Sequence, residues 1–302
     1  MLKDKYSKII TDKANSILPK KVDTVYSGFD LLDKSMKGGF RLGCCYLFAG
    51  LEKSGKSSFL FNIISNRILS GYPVGILSTE MELEDLSDRL VDIAGIDDKD
   101  TTGKNYWKEQ MEMYFTFYGK EELTTGNKYD FNKFLTAIDE MEKEHIDLVI
   151  VDNLTTLGAE AGDYKILGSH ANQLNTYVKN KRMSVIYVIH VKPNVTYKDS
   201  DDGIKSLIKQ GKMKELLDDA VTVIKRPSLN DVYGGGQAHS QISGGALMIW
   251  RPFQKYSVPR YQRMGKIIID SHRYGPPGDI YCEYDGDTGK FILYEKDNEP
   301  KI

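Results

Sequence analysis

The sequence predicts an α/β fold: a mostly parallel central sheet with helices on both faces and antiparallel strands along a C-terminal edge. Three observations carry this prediction. Short apolar runs, CCYLFAG, VGILSTE, DLVIVDN and SVIYVIHV, alternate with amphipathic segments. These runs are apolar almost throughout rather than at every second residue, as strands buried on both faces require. In the last third the character changes, and ALMIWR, KIIIDSHR, DIYCEYD and KFILYE read as shorter strands joined by turns.

Taken in order, residues 4–18 place Tyr6, Ile9, Ile10, Ala14, Ile17 and Leu18 on one helical stripe that Pro19 stops. Such a helix either packs on its own domain or serves as an arm on a neighbouring subunit. The expected division is an N-terminal arm over 1–24 and one domain over 25–302. CCYLFAG is a strand, SSFLFNIISNRILSG a helix, VGILSTE a strand and ELEDLSDRLVDIAG a helix. The stretch from Ile96 to Trp107 is polar and carries no clear period, and a short strand follows near Tyr114–Tyr118. Residues 130–144 and 165–181 read as helices bracketing the strand DLVIVDN, and SVIYVIHV closes the parallel series. There is no internal repeat and no linker with a composition shift.

Composition narrows the function. The 302 residues are 40% apolar and 28% charged, with a net charge of −2. A core is expected, and a broad basic surface that coats nucleic acid is not. Any nucleic-acid contact must come from local loops. The charged start, MLKDKYSKII, lacks a signal-peptide core, and no apolar run is long enough to span a bilayer. The three cysteines, Cys44, Cys45 and Cys282, show no metal-ligand spacing, which fits a reducing cytoplasm.

The most informative stretch is GLEKSGKSS, residues 50–58. G-x-x-x-x-G-K-[ST] between a strand and a helix wraps backbone N–H groups around phosphate oxygens at a helix N-terminus. Gly50 and Gly55 permit the close approach, with Ser54 and Ser58 in the same loop. Lys56 supplies a point charge to the outer phosphates, and Ser57 a hydroxyl for Mg²⁺. Asp152 ends DLVIVDN, and parallel strands bring their C-terminal ends to one edge, so Asp152 is expected near Ser57 as a holder of the Mg²⁺ shell. Glu80 ends VGILSTE, where a carboxylate can polarise the attacking water; the alternative is a helix-capping acid. His190 ends SVIYVIHV, where an imidazole can report the γ-phosphate; the alternative is a satisfied core histidine.

In this order, YSGFDLLDKSMKGGFRLGCCYLFAG, GLEKSGKSS, LSTEM, DLVIVDN, VIHVKPN and HRYGPPGD resemble the hexameric replicative helicases of the DnaB type, which are RecA-like P-loop NTPases. Asp152-Asn153-Leu154 and a histidine at the sensor position look closest to the branch of phage primase-helicases and mitochondrial Twinkle. The resemblance spans roughly residues 26–294. It implies ATP or another NTP with Mg²⁺, and catalytic roles for Glu80, Lys56, His190 and Arg273. Arg273, in HRYGPPG, matches the arginine finger that reaches a neighbour's nucleotide. Nucleotide contacts are expected from Gly50, Ser54, Gly55, Lys56, Ser57, Ser58, Arg251 and Tyr284. The sequence departs from the family in having Ser271 where a lysine is usual, with His272 or Lys266 as substitutes. It also has Tyr233-Gly234-Gly235-Gly236 where the family has an Arg-Gly-Ser element.

The resemblance also implies partners: single-stranded DNA, further copies of the chain in a hexameric ring, and a separate primase with a loader or polymerase, in a bacterial or phage-infected cell, with no membrane. Candidate DNA contacts are Lys192 and Lys198 after His190, the backbone at Gly234 and Gly235, and Lys255, Arg260 and Arg263, which are interleaved with aromatics. The alternative for this last run is a solvated hairpin tip. The expected activity is NTP-driven translocation on single-stranded DNA during replication. The rivals are a filament-forming RecA-like recombinase or recombination mediator, and a non-motor accessory ATPase.

Overall fold

The computed structural model describes residues 23–97, 99–126, 128–156, 164–192, 210, 226–233, 242–252 and 262–295. The proposed arm over 4–18 lies outside them. Nine strands form one sheet in the order β13-β12-β11-β10-β3-β9-β8-β4-β5. The parallel part comprises β3 (Cys45–Gly50), β4 (Val74–Ser78), β5 (Phe115–Tyr118), β8 (Leu148–Asp152), β9 (Ser184–His190) and β10 (Gly245–Trp250). Then β11 (Met264–His272), β12 (Gly278–Tyr284) and β13 (Phe291–Tyr294) continue it antiparallel. Two-residue strands β1 (Thr24–Val25) and β2 (Phe40–Arg41) pair with each other, as do β6 (Thr124–Thr125) and β7 (Lys128–Tyr129).

The strand pleat explains why the runs are apolar throughout. Along β3, Cys45, Leu47 and Ala49 enter one core layer, and Tyr46 and Phe48 the other. The first layer is closed by Phe134, Ile138 and Met141 of a helix at Phe131–Lys143 and by Leu174 and Val178 of one at Tyr164–Val178. The second is closed by Phe59, Ile63 and Ile64 of a helix at Lys56–Leu69, Leu86 and Leu90 of one at Leu83–Ala94, and Trp107 of one at Thr101–Tyr114. In chain order the helices are α1 (Asp30–Ser35), α2 (Lys56–Leu69), α3 (Leu83–Ala94), α4 (Thr101–Tyr114), α5 (Lys120–Leu123), α6 (Phe131–Lys143) and α7 (Tyr164–Val178).

Two expectations change. The polar stretch before Trp107 becomes part of α4, started by Asp100, whose carboxylate accepts the Gly103 N–H at 2.9 Å. Its weak period arises because, of α4, only Trp107 is fully buried. ALMIWR, read with the antiparallel group, runs parallel to β3 and antiparallel to β11, so it is the hinge between the two sheet halves.

Buried Arg67 anchors α2 at its C-terminal end. It donates from Nη1 to the Tyr26 carbonyl at 2.8 Å, from Nη2 to the Pro73 carbonyl at 2.7 Å, and pairs with Asp147 just before β8. This fixes the helix that the phosphate loop opens. Among the described residues, no helix is long and apolar enough to cross a membrane.

Candidate active site

β3 ends at Gly50 and α2 begins at Lys56, so the five residues between them make the turn. Gly55 has φ +92°, a left-handed conformation that a side chain would strain. A Cβ at Gly50 would lie 2.5 Å from Ile249 Cγ2 and 2.7 Å from Ser54 Oγ, so the loop sits tightly against β10. Lys56 curls back and donates from Nζ to the carbonyls of Gly50 (3.2 Å) and Leu51 (2.9 Å). Burial lowers its pKa, while Asp152, Glu80 and Glu52 pull the other way.

The sheet register brings the remaining groups to this edge. Gly50 pairs with His190, and Ser78, two residues before Glu80, pairs with Asp152. A cleft of about 340 Å³ is lined by Lys56, Ser57, Ser58, Glu80, Asp152 and His190, together with Glu52, Lys53, Gly55, Arg89 and Tyr284. Asp152 is buried, and desolvation raises its pKa from 3.8 to about 6, against the lowering effect of the Ser57 hydroxyl and, more weakly, of Lys56 and His190. Glu80 is half-exposed and lies below its ordinary pKa, held there by His190 first and also by Asn153 and Lys56.

The turn that carries Glu80 is pinned from three sides. Thr79 N–H donates to the Asp152 carbonyl at 2.8 Å, and the Tyr129 hydroxyl donates to the Thr79 carbonyl at 2.7 Å. The Asn153 amide donates to Glu80 Oε1 at 2.5 Å and lies 3.1 Å from His190 Nε2. Glu80 therefore faces the cleft and does not cap α3, for which Glu82 is the N-cap residue. His190 is likewise only partly buried and is no core histidine.

The two outlying nucleotide candidates stack on each other. The Arg251 guanidinium lies 4.1 Å from the centre of the Tyr284 ring, and its Nη1 donates to the Ser54 carbonyl at 3.3 Å. Arg251 is buried beneath the loop, whereas Tyr284 reaches the cleft, with its hydroxyl 3.4 Å from Ser58 Oγ. A base can lie between the two side chains only if they part.

Arg273 is elsewhere. It follows β11 and donates its N–H to the Gly244 carbonyl, at the end of the sheet where β10 and β3 begin. Gly245 pairs with both His272 and Tyr46, and Tyr46 precedes Gly50 by four residues, about 13 Å of strand rise, with a further ~10 Å across two strands. Exposed Arg273 therefore cannot reach the phosphate loop of its own chain. Neither substitute for the usual lysine at Ser271 is well placed. Lys266 is buried, pairs with Asp279 at 3.4 Å and lies over the Tyr281 ring. His272 is driven towards its neutral form by burial and by the nearby Arg41 and Lys37 cations.

Of the DNA candidates, Lys198, Gly234, Gly235, Lys255 and Arg260 lie outside the described residues. Lys192 continues from His190, its N–H donating to the Asp231 carbonyl. Arg263 is already paired, 3.1 Å from Glu283 and 3.6 Å from Asp285. Sequence reasoning gave no role to Arg89, Thr79, Tyr129 or Asn153. The signal for Asn153 was present, since it is the polar residue directly after the acid that ends β8. Tyr129 reaches Thr79 across 50 residues of chain and left no local sign.

Comparison with known proteins agrees with this geometry. Residues 24–292 match the family described as DnaB-like helicase C terminal domain. Among solved structures, the ATPase domain of a phage helicase superposes with a TM-score of 0.70 at 17% identity, covering 97% of this chain and 98% of that one. A DnaB-like replicative helicase, solved in a study of its interactions with primase, gives 0.72 at 18%, covering 95% of this chain and 67% of that one. The KaiC-like protein PH0186 from Pyrococcus horikoshii OT3 gives 0.60 at 14%, covering 91% and 100%. These identities speak to the fold, which is the RecA-like one. No curated protein matches. With the phosphate loop and the acids of β4 and β8 converging on one sheet edge, and the match running through nearly all of the domain, the chain belongs to the DnaB-like helicase C-terminal domain family.

Proposed function

We propose that this chain is an ATP-driven motor that moves along single-stranded DNA and separates strands during replication, working as a closed ring with nucleotide between subunits. One observation carries the reading. Lys56, Ser57, Glu80, Asp152 and His190 share one cleft, while Arg273 sits at the far end of the sheet. A site that lacks this arginine within its own chain, in a chain that displays it on the opposite edge, is complete only when a second copy supplies it.

The residues present fit a nucleotide and its metal. Gly50 and Gly55 leave the loop backbone close to any phosphate, and the buried Asp152 carboxylate, its charge disfavoured by desolvation, gains from a divalent cation. Ser57 and Asp152 would hold Mg²⁺, which supplies positive charge to the phosphate oxygens. Lys56 exchanges its two carbonyl contacts for phosphate oxygens. Glu80 accepts the proton of the attacking water, and a carboxylate kept ionised by its neighbours is ready to do so. His190 contacts the γ-phosphate and loses that contact on hydrolysis. Arg273 from the adjacent copy offsets the charge that develops in the transition state. Lys192 is the described cation best placed to connect His190 to DNA, because the chain leaves β9 through it.

The test is unwinding of a forked duplex with ATP by the wild-type chain, Lys56→Ala and Glu80→Gln. ATP-dependent unwinding by the wild type alone is expected. Unwinding that survives either substitution rejects the mechanism. Electron microscopy with a non-hydrolysable analogue and single-stranded DNA separates a closed ring from the filament of a recombinase.

A further inference from the structure

We propose that Asn153 is a positioning residue that sets the Glu80 carboxylate for catalysis and ties it to His190; this rests on the reading of Glu80 given above. Asn153 is 1% exposed, so each of its amide atoms needs a partner. Its Oδ1 accepts from the Thr156 N–H at 3.0 Å and from Thr156 Oγ1 at 3.1 Å. A backbone N–H can only donate, so the atom facing it must be the oxygen, and this fixes which way the amide points. Nδ2 then has two hydrogens to give, directed at Glu80 Oε1 (2.5 Å) and His190 Nε2 (3.1 Å). Nε2 must accept, which puts the imidazole proton on Nδ1.

The consequence for Glu80 is specific. One carboxylate oxygen is held, and among the described residues the other, Oε2, has no protein partner. Holding Oε1 orients the free oxygen towards the cleft that Glu80 lines. Because the same NH₂ group bridges to His190, movement of the imidazole reorients Glu80 through one shared donor. Thr79 completes the frame: its hydroxyl accepts from the Asn153 N–H at 3.0 Å and lies 3.1 Å from Thr156 Oγ1. The acid strand, the glutamate turn and the sensor strand thus meet in one side chain that contacts no substrate itself.

Steady-state ATP hydrolysis with Mg²⁺ and single-stranded DNA tests this on the full chain, comparing wild type, Asn153→Asp, Asn153→Ala, Glu80→Gln and Asn153→Asp with Glu80→Gln. Asn153→Asp keeps the shape and the acceptor for Thr156 but removes the donor; Asn153→Ala removes the donor without adding charge. Both are expected to lower kcat about 10- to 100-fold, the scale of one hydrogen bond to a charged group, with the KM for ATP and the affinity for a non-hydrolysable analogue within about twofold. In the Glu80→Gln background, Asn153→Asp is expected to add no further loss, because it acts through the carboxylate already removed. Wild-type kcat in both single variants, or a double variant slower than Glu80→Gln by the full single-variant factor, overturns the proposal. If Glu80→Gln itself hydrolyses ATP at the wild-type rate, the reading of Glu80 fails and this one with it. If Glu80→Gln is inactive and the Asn153 variants are normal, the role of Asn153 alone is rejected.

Discussion

Asp152 offers a prediction that needs no DNA and no partner. Its carboxyl is buried at the end of β8, and its pKa rises from 3.8 to about 6, with desolvation the leading cause. A folded-state pKa above the unfolded value means that the nucleotide-free fold prefers the protonated acid. The stability this group contributes is therefore complete below about pH 4 and is lost as pH rises through about 6. A displacement of about two on the pH scale is worth ~3 kcal/mol by pH 7.5. Asp152→Asn, neutral at every pH and nearly the same shape, avoids that loss. The variant is expected to be more stable than wild type by about 3 kcal/mol at pH 7.5, roughly 5 °C in Tm, and nearly equal to it at about pH 4. Thermal melts across about pH 4–8, without nucleotide or Mg²⁺, measure the difference, and other titrating groups cancel in the comparison. Added Mg²⁺ and ATP should then raise the Tm of the wild type and not of the variant. A variant no more stable at pH 7.5, or a gain that does not change with pH, refutes the account of Asp152 as a carboxylate strained by burial.

Three further outcomes follow from the same geometry. Glu80→Gln is expected to reduce kcat at least about 100-fold with ATP affinity retained, read by steady-state hydrolysis and analogue binding, since Glu80 meets the water rather than the phosphates. Arg273→Ala and Lys56→Ala are each expected to be inactive, yet mixing them should restore part of the ATPase activity. Mixed assemblies contain junctions with an intact Lys56 facing an intact Arg273, and no recovery over a titration of mixing ratios rejects the shared site. Arg67→Ala is expected to destabilise the fold by about 3–5 kcal/mol in urea unfolding, because it leaves buried Asp147 and two carbonyls without their cation.

Much of this was legible along the chain. Each run read as a parallel strand is one, because a strand buried on both faces must be apolar at every position, and that pattern is local. Glu80, Asp152 and His190 could be grouped before any coordinates, because residues ending parallel strands share an edge. α4 was missed because it buries little beyond Trp107 and so shows no helical period. The engagement of Arg263 with Glu283 and Asp285, and of Lys266 with Asp279, was invisible for a different reason. A basic residue in a sequence does not announce whether an acid on the next strand has already taken it.

The sequence alone therefore determined the class of fold, the phosphate loop and the identity of the groups at its edge, since each is written in short-range pattern or in a shared strand direction. Only the tertiary structure decided how those groups act on one another. It put Asp152 where desolvation changes its acidity, brought Tyr129 under the Glu80 turn, and set Asn153 between Glu80 and His190. It also placed Arg273 at the opposite end of the sheet from Lys56. Burial and hydrogen bonding depend on neighbours supplied by distant parts of the chain, and no spacing along it encodes them.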